Sequence, residues 1–326
     1  MAMAMMRFNW VLPGIDPQTM SGMYRAALDM ASFGEEHGFV ACTLEEHHGS
    51  VDGWSPTPLV MAGMILSRTQ RMNVMIMALL VPLHDPLRIA EDIAVLDLAS
   101  GGRLNVVGGL GYIPHEYARH GKDWGERGRL MDEAVDAMLK AWTGEPFEYR
   151  GTTVRGTPRP LTQPHPPFSL GGTSRVAARR AARFGLPFFP AANMPELEAY
   201  YYEQCKEHGT QGFCMMPGEE TVMLFVADDP DKAWAELGPH LLHEATTYHS
   251  WQTPDIKSAV HSYASTVDEL RAEGIYRILT PDECVEQAKR AGDAAAFNLH
   301  PMCGGIPVDK AWEHLQLFVD KVLPRV

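Results

Sequence analysis

Two carboxylates followed by two imidazoles, Glu45-Glu46-His47-His48, come directly after the apolar run 39–44 and ahead of a polar stretch. A short apolar run that stops at polar chain reads as a strand, and side chains at a strand's carboxyl end stand at the rim of a sheet. A histidine there suits proton transfer near neutral pH, and a carboxylate beside it, Glu46, suits orienting the ring. His47 is the candidate general acid or base. No metal site is expected: neighbouring side chains on extended chain point to opposite faces, so His47 and His48 do not share an ion, and no further His/Asp cluster has ligand spacing.

A different chemistry is suggested by Gly171-Gly172-Thr173-Ser174, which follows the run 168–170 and precedes an alanine-rich helical segment. Glycines let backbone approach a ligand, and the free amides of a helix start with hydroxyl neighbours suit a phosphate. A plain strand-to-helix turn with a serine cap accounts for the same residues. Two further strand ends stand out. The run 73–81 is apolar up to Pro82, as barrel core or the wall of a planar aromatic ligand would be. Gly108-Gly109-Leu110-Gly111-Tyr112 permits close backbone approach without being a dinucleotide fingerprint.

Apolar runs at 7–11, 39–44, 73–81, 104–107, 168–170, 186–189, 221–226 and 295–300 predict eight strands. Helical patterns lie between them at 19–37, 57–67, 86–98, 125–142, 174–184, 195–208, 230–248, 280–290 and 307–322, several opening on proline or a hydroxyl cap. This rhythm predicts an α/β fold, a closed (β/α)8 TIM barrel in one domain across 1–326 with insertions after strands. The alternative, an open doubly wound sheet, lacks its Gly-x-Gly-x-x-Gly turn after the first strand. Excursions are expected at about 147–167, with a short hairpin, and 248–276, polar and partly helical; long insertions after barrel strands often serve as lids. The opening Met-Ala-Met-Ala-Met-Met-Arg is too short for a signal peptide and reads as a start-site artefact or a disordered lead-in to the first strand.

With 326 residues and 45% hydrophobic content the chain can bury a large core, and a net charge of −13 without a basic block disfavours nucleic acid and anionic membranes as partners. Five scattered cysteines, odd in number, point to reduced thiols and a cytoplasmic location. No apolar window reaches transmembrane length.

These pieces together resemble the bacterial luciferase-like flavin-dependent monooxygenases over nearly the whole chain. The resemblance is carried by Glu46-His47-His48, Pro82-Leu83-His84-Asp85-Pro86-Leu87-Arg88, Leu96-Asp97-Leu98-Ala99-Ser100-Gly101-Gly102-Arg103, Arg127-Gly128-Arg129, Pro164-His165-Pro166-Pro167 before Gly171-Gly172-Thr173-Ser174, Thr280-Pro281-Asp282-Glu283 and Val322-Leu323-Pro324, in that order. It implies a barrel that binds reduced, diffusible FMN at the strand carboxyl ends, with a separate flavin reductase supplying FMNH2 and with O2 and a small organic molecule as substrates. His47 matches the family's active-site histidine. Met77 and Ala78 match a non-prolyl cis peptide that presses on the ring. Thr173, Ser174 and Ala177, with Gly172 before them, match the lining of the flavin phosphate site, and Tyr112 joins Met64, Met75 and the 248–276 insertion as candidate apolar wall.

At Gly109 and Leu110 the luciferases themselves carry a reactive thiol and then a phosphate-binding arginine. Leu110 cannot replace that arginine, so the phosphate is expected to rest on amides near Thr173 and Ser174, aided by Arg175. Relatives pair as homodimers, and helices 57–67 and 86–98 offer suitable faces. The nearest rival within the superfamily is a coenzyme F420 (deazaflavin)-dependent hydride-transfer enzyme. More distant are a phosphate-binding barrel isomerase or aldolase, against whose Schiff-base chemistry lysines such as Lys122, Lys140 and Lys206 fall in loops and helices, and a non-catalytic flavin-binding protein.

Overall fold

The computed structural model describes residues 2–218, 222–252 and 257–326. Its elements alternate in chain order: β1 (Met3–Phe8), α1 (Pro17–Glu36), β2 (Ala41–Leu44), α2 (Pro58–Arg68), β3 (Asn73–Leu80), α3 (Pro86–Ser100), β4 (Leu104–Gly109), α4 (Pro114–Arg119) and α5 (Arg127–Thr143). The antiparallel hairpin β5 (Phe147–Tyr149) and β6 (Thr152–Val154) follows, as the first excursion predicts. Then come β7 (Phe168–Gly172), α6 (Arg175–Phe184), β8 (Phe188–Pro190), α7 (Pro195–His208), β9 (Met223–Val226), α8 (Pro230–Trp251), α9 (Val267–Glu273), β10 (Tyr276–Leu279), α10 (Pro281–Ala291), β11 (Ala296–Leu299) and α11 (Val308–Lys321).

The strands other than the hairpin form one parallel sheet in the order β10-β9-β11-β1-β2-β3-β4-β7-β8. This is a (β/α)8-type TIM barrel in which helices cover the outer face and loops after the strands gather at the carboxyl ends. Alternation along β3 shows the division of labour. Val74 and Ile76 are buried among the helices, whereas Met75 and Met77 face the cavity inside the sheet. The buried side chains form a continuous cluster from Ala4 in β1 to Val322 after α11.

Three expectations are corrected. The first strand lies at Met3–Phe8, earlier than 7–11, because the alternating Met-Ala lead-in is itself strand: Ala4 and Met6 enter the core, and the backbone pairs with both β2 and β11. A ninth strand, β10, was missed. It pairs with β9 and is only four residues long between α9 and α10, so its apolar signal was absorbed into the insertion. The insertion at 248–276 also starts later than expected, since α8 continues to Trp251; its residues 253–256, and Thr221 at the start of the 221–226 run, lie outside the described residues.

Helix starts follow local chemistry. Asp85 Oδ1 accepts from the amides of Leu87 and Arg88 at α3, and Thr280 with Glu283 forms a reciprocal capping box at α10. Arg103 donates to the carbonyls of Leu66, Thr69 and Met72 and so fixes the turn between α2 and β3. All five cysteines are free thiols, and no helix of the described residues is long and apolar enough to cross a membrane.

Candidate active site

β2 ends at Leu44, and the chain beyond it is held in place by backbone bonds: His47 N–H donates to Ser55 O, and Ser55 N–H donates to Asn9 O, each at 2.9 Å. This tether buries His47 at the rim. Its Nδ1 lies 3.3 Å from Glu116 Oε1, and its Nε2 lies 3.3 Å from the Tyr112 hydroxyl. Glu116 Oε1 also accepts the His48 amide at 2.7 Å. A carboxylate only accepts, so Glu116 places the histidine proton on Nδ1 and leaves the Nε2 lone pair for the Tyr112 O–H. Burial pushes the Tyr112 hydroxyl well above its ordinary value, with Tyr248 close by adding to the shift, so it stays protonated and donates.

Glu46 was expected to orient His47; it faces elsewhere. Its carboxylate accepts from His48 Nε2 at 2.9 Å, His84 Nε2 at 2.7 Å and the Leu80 amide at 2.5 Å. Burial by itself raises the Glu46 carboxyl, but these hydrogen bonds outweigh it and hold it down at about 2. The orienting role falls to Glu116, on the six-residue helix α4 after β4. No local signal marked it, because 69 residues separate it from His47. The two imidazoles do diverge as extended backbone predicts, His47 to Glu116 and His48 to Glu46.

An aromatic shell backs His47. The Trp54 ring stands edge-on at 5.6 Å between centroids and Trp251 lies tilted at 4.7 Å, while Tyr248 approaches Trp54 at 6.1 Å and Tyr112 at 6.4 Å. Trp251 and Tyr248 come from the end of α8, and Ser258, Ala259 and Val260 from the excursion after it line the cavity. Tyr112 and Met75 also line the cavity. Met64 does not: it is exposed on the outer side of α2, one helical turn from exposed Val60.

The cavity measures about 2430 Å³, and its lining joins His47 to Met77, Ala78, Gly109, Leu110, Tyr112, Gly172, Thr173, Ser174 and Ala177. The Met77-Ala78 peptide is cis. Gly109 is required where it stands, since an added Cβ would lie 2.7 Å from the Ala78 Cβ. At Gly172, φ is +146° and an added Cβ would come 2.7 Å from the Ala177 Cβ, so two constraints favour glycine there. Ser174 caps α6 by accepting the Ala177 amide at 3.2 Å. Arg175 does not assist at the cavity; it is exposed and stacks over the Tyr200 ring. Arg127 at the start of α5 also lines the cavity; it donates to Trp124 O, and its guanidinium lies 4.0 Å from the centroid of the Trp124 ring. Its motif, Arg127-Gly128-Arg129, is visible in the sequence, but its place at the cavity is not.

A family model described as luciferase-like monooxygenase matches residues 6–296, and the chain belongs to that family. Among curated relatives, the FMNH(2)-dependent dimethylsulfone monooxygenase of Pseudomonas putida is 31% identical over 140 residues, 40% of this chain and 38% of the relative. The matches span about half the length of the first curated relatives. Among solved structures, the oxygenating constituent of 3,6-diketocamphane monooxygenase from Pseudomonas putida, in complex with FMN, superposes with a TM-score of 0.72 at 18% identity, covering 100% of this chain and 99% of that one. An F420-dependent secondary alcohol dehydrogenase superposes with a TM-score of 0.68 at 17% identity, covering 100% and 99%.

Proposed function

We propose that this chain is the oxygenating component of a two-component monooxygenase, using reduced FMN delivered by a separate reductase and O2 to oxygenate a small organic substrate. The observation that carries this reading is one cavity shared by a buried, carboxylate-oriented histidine, a capped glycine turn and Arg127. The relatives named FMNH(2)-dependent and oxygenating constituent support it.

The residues present fit an FMN. Arg127 offers a cation, and Thr173 with the start of α6 offers hydroxyl and amide donors, which together suit a phosphate dianion. Met75, Met77, Ala78 and Leu110 offer an apolar wall for a flat ring. When bound, reduced flavin would supply the electrons that activate oxygen. Glu116 holds the His47 ring with Nε2 towards Tyr112, so a proton can be taken up or returned at Nε2 through the phenol. Trp54, Trp251 and Tyr248 keep water from that pair.

A second reading, hydride transfer with coenzyme F420, is favoured by the likeness to the F420-dependent dehydrogenase and by Leu110 in place of a phosphate-binding arginine. Anaerobic titration of the protein with reduced FMN and reduced F420, followed by fluorescence, separates them. Saturable binding of FMN with no binding of F420 is expected; preference for F420 would overturn the first reading.

In the same proposal the protein works as a cytoplasmic homodimer. Val60 and Met64 on α2 and Val95 and Leu98 on α3 are exposed apolar side chains on two helices that pack together, a face suited to a second copy of the chain.

A further inference from the structure

We propose that Glu46, His48 and His84 form a binding site for a divalent transition-metal ion of the Zn2+ class, one residue along the chain from His47. Three donor atoms converge: Glu46 Oε1 lies 2.9 Å from His48 Nε2 and 2.7 Å from His84 Nε2, and all three lie within 4.8 Å of one another. Bonds of about 2.0–2.1 Å place tetrahedral donors about 3.3 Å apart, so one ion replaces the two shared protons if the rings withdraw by about half an ångström. His84 is a quarter exposed, which gives it room to move and gives the ion a way in.

The surroundings suit a metal in two further respects. The carboxylate is oriented from behind by the Leu80 amide on Oε2, the kind of outer contact that fixes a ligand's lone pairs. A third imidazole, His120, stacks edge-on to His48 at 4.5 Å, and its buried Nε2 has no hydrogen-bond partner among the described residues. It stands beside the three donors and is not one of the atoms that converge within 4.8 Å. The donors come from the chain after β2 and the turn after β3, so the ion would clip together two segments beside His47.

The second cluster of this kind, Glu244, His300 and Cys303, does not qualify. It is wholly buried with no entry path, and Arg7 shares its carboxylate at 3.9 Å, placing a positive charge where an ion would sit.

The test uses the full chain, stripped with EDTA and titrated with ZnSO4 against a chromophoric chelator. One equivalent should bind, and the thermal midpoint should rise, because an ion that prefers the folded chain stabilises it. His84→Ala and His48→Ala should each weaken binding at least about 100-fold, since losing even an outer contact costs up to about that much. His37→Ala, on the exposed end of α1, should leave it unchanged. Absence of stoichiometric binding, or binding indifferent to His84→Ala, overturns the site. CoCl2 added to the wild type gives a check that no variant has to fold for: intense visible bands of a low-coordinate ion are expected, and the weak spectrum of the hydrated ion would refute the proposal. None of these readouts depends on flavin.

Discussion

His47 takes its character from what its two nitrogens meet. Glu116 fixes the proton on Nδ1, and Tyr112 meets Nε2 at the cavity edge, so the ring is poised to exchange a proton in one direction. If that proton path guards oxygen chemistry, loosening it should release oxygen equivalents unproductively. His47→Ala is expected to raise H2O2 release from reduced FMN and O2 by about a hundredfold, the lower end of what positioned proton transfer contributes. Glu116→Gln should raise it by a smaller factor, with FMN affinity kept within about twofold. A peroxidase-coupled assay beside a binding titration measures both. Unchanged H2O2 release in His47→Ala would remove the histidine from the chemistry.

At the scale of elements, the turn from β7 into α6 is built for close approach. Gly172 adopts φ +146° with Ala177 directly opposite, so Gly172→Ala must shift either the turn or the first helical turn. A loss of about 1–3 kcal/mol in urea unfolding is expected, the cost of one residue forced into a sparsely populated region. FMN affinity should fall about tenfold in the same variant if, as proposed, the phosphate rests on that turn. Stability and affinity both unaffected would mean that the turn relaxes freely and does not shape the site. At Gly109 the constraint is contact alone, an added Cβ coming 2.7 Å from the Ala78 Cβ.

Across the whole molecule, β1 is tied to the end of the sheet by a buried charge network. Arg7 forks onto Glu45 at 2.8 and 2.9 Å and approaches Glu244 of α8, which accepts from His300 at 3.0 Å and from the Gly304 amide at 3.0 Å. Burial raises the Glu244 carboxyl, but His300 and Arg7 outweigh it and hold it below the ordinary carboxylate range. A folded value below the unfolded one means that the contribution is complete above the unfolded value, near 4.5, and drains away as pH falls towards the folded value. Chemical denaturation should therefore show stability falling below about pH 4.5. Glu244→Gln should be less stable at pH 7 by about 3–5 kcal/mol, as removal of one partner of a buried pair is, and should respond less steeply to acid. An identical acid slope in the variant would exclude Glu244 as the cause. On the outside, Val60→Glu on α2 should convert a dimer to monomer by light scattering; a dimer that persists would place the interface elsewhere.

The sequence by itself determined the alternation of strands and helices, the histidine at the end of the second strand, the glycine turn before α6 and the family motifs, because each is written in neighbouring residues through periodicity, capping and turn chemistry. It did not reveal that the Met-Ala lead-in is strand, since its partners β2 and β11 are distant in the chain. Nor did it separate the four-residue β10 from the polar segment before it. Tertiary structure alone decided which carboxylate serves which imidazole. Glu46 is adjacent to His47 yet turns to His48 and His84, while Glu116 arrives from α4, because direction on an extended backbone is set by pleat and partner and not by adjacency.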